Sequence, residues 1–160
     1  MTPDIPKMII DELIEACFEA RENSYCPYSG FAVGAALYCI CKKNSPEYNN
    51  IDLFSNEEYT IVTGTNIENA SYPAGNCAER TALFKAVSEG IRQFAAIAIV
   101  GGKGDEISDY TAPCGICRQT LREFVDPSEF YVIMAKSKDD YIIKTLEELL
   151  PMSFGPDNLK

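Results

Sequence analysis

The sequence predicts an α/β protein, a three-layer α-β-α sandwich around one mixed sheet of about five strands. Helical periods alternate along the chain with short apolar runs, which is the pattern of strands covered by helices. The main apolar runs carry almost no charge, as strands buried on both faces require. The chain has 160 residues, 46% of them hydrophobic and 24% charged. These are ordinary globular proportions, sufficient for one core and too few residues for two, so residues 1–160 are read as a single domain.

Between Met8 and Arg21 the apolar residues Ile9, Ile10, Leu13, Ile14, Cys17 and Phe18 recur at helical spacing, with Asp11, Glu12, Glu15 and Glu19 on the other face. That is an amphipathic helix. Pro27 and Gly30, in Tyr25-Cys26-Pro27-Tyr28-Ser29-Gly30, break it. Phe31 to Cys41 reads as a central strand, with the small residues Gly34, Ala35 and Ala36 and no charge. Lys42 to Glu58 is polar, carries Pro46 and Asn49-Asn50, and reads as a long hairpin connection. Tyr59 to Asn66 is the returning strand. Ala74-Gly75-Asn76 makes a turn, with Asn76 placed to cap a helix whose apolar stripe is Ala82, Leu83, Ala86 and Val87 and whose end is Gly90. Phe94 to Gly101 is a third strand, closed by Gly101-Gly102-Lys103-Gly104. Pro113 precedes a helix through Gln119, Leu121 and Phe124, and Phe130 to Ala135 is a fourth strand. Tyr141-Ile142-Ile143 is the candidate for a fifth, and Leu146 to Leu150 a short helix stopped by Pro151.

Composition narrows the chemistry. There is no histidine, which removes Ser-His-Asp and Cys-His triads, His-x-x-x-His zinc proteases and any histidine general base. Proton transfer falls to carboxylates, thiols, Lys or Tyr. Fourteen Lys and Arg against 24 Asp and Glu give a net charge of −10. That charge opposes association with polyphosphates, so neither nucleic acid nor an anionic membrane is an expected partner. No run approaches the ~18 to 20 apolar residues of a spanning helix, and Met1 to Pro6 lacks a basic region followed by an apolar block, so the expected location is cytoplasmic. Seven cysteines, an odd number in such a chain, argue against a disulfide framework and for metal ligation or burial.

Cys114 and Cys117 stand in Pro113-Cys114-Gly115-Ile116-Cys117. The spacing lets both thiolates reach one ion at a helix start, where the dipole and free N–H groups favour thiolate. Alone, such a pair is half of a structural zinc site, a redox dithiol or coincidence. Cys77 opens the earlier helix, in Gly75-Asn76-Cys77-Ala78-Glu79-Arg80. If the two helices follow adjacent strands, their N-termini meet at one sheet edge and the three cysteines share one zinc. Three protein donors leave a fourth position open for a water whose pKa the ion lowers toward ~7, the mark of a catalytic zinc. Glu79, in the first turn, is placed to stand beside that water without ligating and to shuttle its proton. Three thiolates on a dication make a negative centre, which Arg80 offsets by hydrogen bonding to sulfur. The alternative for Arg80 is a surface arginine paired with a carboxylate.

These residues follow the zinc-deaminase pattern of a metal ligand, Glu two residues later, then Pro-Cys-x-x-Cys. More closely, the chain resembles the small cytidine deaminases of the homotetrameric type in which cysteine supplies all three zinc ligands. The resemblance runs through Tyr25 to Leu37, Gly64 to Gly90, Pro113 to Phe124 and Leu149 to Pro156. It implies one zinc ion per subunit, hydrolysis of cytidine and deoxycytidine to uridine and deoxyuridine with release of ammonia, and a place in pyrimidine salvage. It also implies that zinc-activated water attacks C4 of cytosine while Glu79 protonates N3. Asn66 and Glu68, in Asn66-Ile67-Glu68-Asn69, resemble the pair that holds the ribose hydroxyls; read alone, Glu68 could equally cap a turn. Phe31 resembles an aromatic residue packed on the pyrimidine ring. Phe154 and Tyr72 resemble residues that a neighbouring subunit contributes to the site. Each of the three would otherwise read as a core aromatic. Backbone groups at Ala78 and Ala112 are implied contacts for the polar edge of the base, and Ala112 departs from the Ser usual in relatives. The segment Lys42 to Glu58 is longer than usual for the family, which bears on tetramer packing.

Cys17, on the apolar helix face, and Cys39 and Cys41, alternating on a strand, read as small buried hydrophobes. Cys26 lies near the expected pocket and is read as packing rather than contact. A deaminase of another aminated pyrimidine nucleoside-like compound, of the blasticidin type, would share this chemistry, although Asn66 and Glu68 favour a ribose-bearing substrate. A zinc-stabilised binding module without catalysis would normally close its site with a fourth protein ligand.

Overall fold

The computed structural model describes residues 5–40 and 59–160. Its strands are β1 (Phe31–Ile40), β2 (Tyr59–Thr65), β3 (Phe94–Lys103), β4 (Tyr131–Ala135) and β5 (Tyr141–Thr145), in one sheet of spatial order β2-β1-β3-β4-β5. β1 is antiparallel to β2 and β3, β3 is parallel to β4, and β4 is antiparallel to β5, so the sheet is mixed as the sequence predicts. Helices α1 (Lys7–Arg21), α2 (Ala78–Ser88), α3 (Gly115–Arg122) and α4 (Leu146–Leu149) cover it.

Strand alternation sorts the core into two layers. Leu37, Cys39, Ile97 and Ile99 point to one face and bury Ala82 and Leu83 of α2, Leu121 of α3 and Leu146 of α4. Ala36, Tyr38, Ala98 and Val100 point to the other and bury Ile10, Leu13, Ile14 and Cys17 of α1. A fully buried Leu or Ile side chain contributes about 1.5–3 kcal/mol, so these facing rows hold the helices to the sheet. The apolar stripe read in the first helix is the one that is buried. None of the described helices is long and apolar enough to cross a membrane.

Four details differ from the sequence reading. α2 has Cys77 at its N-cap, in extended backbone and with no side-chain cap bond. Asn76 stands one residue too early to cap it and instead donates from Nδ2 to Thr81 Oγ1 at 3.1 Å. β3 does not close at Gly101, because Gly101 and Gly102 still pair with Val33 and Ala32, and the chain turns at Gly104 with φ +59°. α3 ends at Arg122, leaving Phe124 beyond its last turn. Finally, the strands that feed α2 and α3 are not neighbours, since β1 lies between β2 and β3. Both run antiparallel to β1 and hence parallel to each other, so the two helices still begin at the same sheet edge. The segment Lys42 to Glu58 and Cys41 lie outside the described residues.

Candidate active site

The two helix starts bring three sulfurs together. Cys77 Sγ lies 3.9 Å from Cys114 Sγ, and Cys114 Sγ lies 3.5 Å from Cys117 Sγ. Among the described residues they form the one group of three or more Cys, Asp or Glu donors within 4.8 Å of one another, so the group holds three protein donors and not four. Cys77 and Cys114 are both N-caps in extended backbone, and Cys117 sits one turn into α3. An N-cap side chain projects past the helix end, where the unpaired N–H groups and positive dipole end favour an anionic sulfur.

The electrostatics fit a soft cation. The Cys117 thiol hydrogen-bonds the Cys77 sulfur and, with Arg80 and Cys114, pulls Cys77 down to about 5. Cys117 is driven the other way, far up, by the same hydrogen bond and by burial. The pair therefore shares one proton, with Cys77 ionising first; a metal replaces such a proton because it takes sulfur as thiolate. Arg80 Nη2 donates to Cys77 Sγ at 3.7 Å, while its Nε is buried with no hydrogen-bond partner. The cationic side chain is thus turned toward the sulfurs rather than toward a surface carboxylate.

Among the described residues, Glu79 is the one polar or charged residue that is buried, 5% exposed. Burial pushes its carboxyl up to about 7, and the negative charge of Cys77 adds to the rise. An acid of this strength in the first turn of α2, next to a sulfur cluster, is suited to accept and return a proton near neutral pH.

A cavity of about 490 Å3 opens beside the cluster, and Cys77, Arg80, Asn66, Glu68 and Tyr72 all line it. Its volume lies in the range of small-molecule sites. Asn66, just past β2, is tied to the start of β1: its Oδ1 accepts from Val33 N at 2.8 Å and from Ser24 Oγ, and its Nδ2 donates to Phe31 O at 2.8 Å. One amide N–H remains for another partner. Glu68 Oε2 accepts from the backbone N–H groups of Tyr28 and Ser29 at 2.8 and 3.1 Å, and its Oε1 accepts from the Ser29 hydroxyl. The Ser29 hydrogen bond, with the two backbone donors, holds the Glu68 carboxyl below its usual range. The turn-capping role read as an alternative for Glu68 is present.

Ala78 is buried at the start of α2. Tyr72 is exposed at the cavity rim, with its ring edge-on to Tyr28 at 6.1 Å. Phe31 does not line this cavity; it lines a second, of about 480 Å3, with Gly101, Gly102, Tyr110 and Thr111. Phe154 is 60% exposed near the C-terminus, and its carbonyl accepts from Gln119 Nε2. Cys26 lines neither cavity. None of the six described cysteines is in a disulfide, and Cys17 and Cys39 are buried.

The sequence reading missed Tyr28, Ile67 and Asn76 as cavity walls. Ile67 exchanges backbone hydrogen bonds with Asn76 at 2.9 Å in both directions, while on either side of it Asn66 O accepts from Tyr25 N and Glu68 N donates to Tyr25 O, stitching three loops together. Strand alternation ends at Thr65, so no periodic signal marks that pairing.

Comparison with known proteins decides the family. Residues 53–134 match the model of the cytidine and deoxycytidylate deaminase zinc-binding region. The cytidine deaminase of Sporosarcina psychrophila is 41% identical over 152 residues, covering 95% of this chain and 96% of its own. The chain belongs to the cytidine deaminase family. A second cytidine deaminase, from Halalkalibacterium halodurans, is 41% identical over 92% of this chain and 95% of its own length. The crystal structure of cytidine deaminase from Burkholderia pseudomallei superposes with a TM-score of 0.71 at 41% identity, over 89% of this chain and 97% of that one. The matched region is the family's zinc-binding region, and here it contains all three sulfur donors of a cluster that could hold a metal ion.

Proposed function

We propose that this chain hydrolyses cytidine and deoxycytidine to uridine and deoxyuridine, releasing ammonia, as a single catalytic domain over residues 1–160. The observation that supports it most is a buried carboxylic acid, Glu79, in the first turn of α2 beside Cys77, which with Cys114 and Cys117 at the start of α3 makes a set of three sulfurs with no fourth protein donor among the described residues. Cys77, Cys114 and Cys117 hold the zinc ion. Zinc, when bound at a three-donor site, supplies a water acidified toward ~7 as nucleophile. Glu79 moves two protons in turn: it takes one from the attacking water and places it on N3 of the cytosine ring, where it stays, then carries the proton of the new C4 hydroxyl to the exocyclic amine as the C4–N bond breaks; a carboxyl near 7 is matched to both transfers. Arg80, through its bond to Cys77, offsets the negative charge of the sulfurs.

Asn66 and Glu68 hold the sugar, using the spare amide N–H and the remaining acceptor capacity of Oε1. Backbone groups at Ala78 and the carbonyl of Ala112 meet the polar edge of the base. An Ala at 112 costs little in that role, because only the carbonyl receives the exocyclic amine. Phe31 is the ring contact that the family resemblance implies; its carbonyl is tied to Asn66 at the site, while its side chain lines the second cavity. Tyr72 and Phe154, both exposed, complete the site of a neighbouring subunit in a homotetramer with one zinc per subunit. The net charge of −10 supports a free nucleoside over a polynucleotide, and supports neither nucleic-acid nor membrane binding. The setting is cytoplasmic pyrimidine salvage.

The test is a substrate panel scored by loss of cytosine absorbance and by ammonia release, run beside sedimentation of the zinc-loaded protein. Turnover of cytidine and deoxycytidine by a tetramer is expected. Turnover confined to an aminated pyrimidine compound without a ribose would assign the chain to a different substrate class.

A further inference from the structure

Arg118 is the residue after Cys117, and its half-buried guanidinium joins two pieces of backbone. Nε donates to the carbonyl of Pro113 at 2.7 Å, and Nη1 donates to the carbonyl of Leu149 at 2.5 Å. Pro113 immediately precedes Cys114, whose own backbone carbonyl accepts from Arg118 N at 3.0 Å. The two peptide groups on either side of the Cys114 α-carbon are therefore each bonded by Arg118.

The other end of the brace is firm. Leu149 is the last residue of α4, where helical carbonyls lack partners within the helix. α4 starts with a capping box between Thr145 and Glu148, buries Leu146 completely, and bonds Leu146 N to Phe130 O and Glu147 N to Pro127 O. Cys114 itself is exposed, sits at an N-cap with no side-chain cap bond, and is followed by the exposed Gly115 and Ile116. Little else fixes its backbone.

We propose that Arg118 is a positioning residue for the metal site: by tying Pro113 to Leu149 it holds the peptide that aims Cys114 at the other two sulfurs. It touches no substrate and acts only through Cys114. The inference rests on the three cysteines being the zinc donors. A planar guanidinium spans two carbonyls in fixed geometry, which neither an apolar chain nor an ammonium reproduces. Residues that orient a ligand are typically worth 10–100-fold in metal affinity.

The experiment compares Arg118→Met, Arg118→Lys and Arg122→Met with the unaltered chain, reading zinc affinity by competition with a chromophoric chelator alongside thermal unfolding. Arg122 serves as the control because it lies on the same helix but bonds Ser153 and Asp157, away from Pro113. Arg118→Met is expected to lower zinc affinity about 10–100-fold, Arg118→Lys by a smaller factor, and Arg122→Met not at all, even where it lowers the melting temperature. Should Arg118→Met fail to fold, Arg118→Lys decides. Unaltered zinc affinity in the deciding Arg118 variant, or an equal loss in Arg122→Met, would overturn the proposal. A chain that binds zinc but releases no ammonia from cytidine would overturn the proposed function while leaving this comparison intact.

Discussion

Gly64 of β2 faces the first turn of α2 so closely that a β-carbon there would run into the carbonyl oxygen of Ala78 and the amide nitrogen of Ala82, with Ala82 Cα at 3.0 Å. All of these atoms are helix backbone, which has no alternative rotamer to retreat to. The contact sets how near α2 lies to the sheet, and so where Cys77 and Glu79 stand relative to α3. Gly64→Ala is therefore expected to destabilise the chain by about 1–3 kcal/mol, as overpacking does, and to weaken zinc binding with it. Denaturant unfolding with a parallel zinc titration checks both.

Asn66 and Glu68 are both assigned to the sugar, yet the structure gives them different second tasks. Asn66 secures three groups of the β1 region, at Ser24, Phe31 and Val33, whereas Glu68 secures only the exposed turn at Tyr28 and Ser29. Asn66→Ala is expected to raise KM for cytidine and to lower stability by about 1–3 kcal/mol through the backbone groups left unpaired. Glu68→Gln is expected to raise KM with a much smaller effect on melting. Steady-state kinetics and thermal scans of the two variants separate these effects.

A cluster at the turn between β4 and β5 carries a pH signature. Asp140 bonds Lys136 at 2.8 Å and the Tyr110 hydroxyl, and Lys136 lies 4.7 Å from the centre of the Tyr110 ring. The Lys136 bond, with that of Tyr110, holds the Asp140 carboxyl below its ordinary value of 3.8. A lowered carboxyl stabilises the fold above its unfolded pKa and loses that contribution as pH falls through the folded one. Urea midpoints of the unaltered chain and Asp140→Asn are thus expected to differ by a constant amount between pH 5 and 7, and to converge below about pH 4.

Metal loss should read out as loss of fold. Cys114→Ala leaves two sulfurs, and zinc binding free energy is folding free energy where no preformed site exists in the unfolded chain. Lower zinc content by atomic absorption and a lower melting temperature are expected together. Chelator treatment of the unaltered chain should move the melting temperature in the same direction.

Much of this was legible in the sequence because it rests on period and spacing. The apolar stripe from Ile9 to Cys17 and the uncharged run of β1 are buried as read, and the two-residue gap between Cys114 and Cys117, which alone left a zinc site, a redox dithiol or coincidence open, does bring the two sulfurs together with Cys77. What escaped is set by contacts between loops. Nothing in the sequence tells that Ile67 pairs with both Tyr25 and Asn76, or that Asn66 spends most of its amide on β1. The N-cap of α2 was misplaced because asparagine is the better cap former; at that position the chain has Cys77, whose sulfur projects toward the metal donors. The order of strands was hidden too, since whether β1 sits between β2 and β3 depends on pairing partners rather than on any one strand's own residues.

The most direct measurement is zinc content and ammonia release from cytidine for Glu79→Gln beside the unaltered chain. The amide is nearly the same size, fits the same buried site and cannot carry the proton. Full zinc occupancy and an unchanged fold, with turnover lower by ~10²–10⁴ as is usual on losing a general acid-base group, is the predicted result. Unchanged turnover at full occupancy would contradict the account.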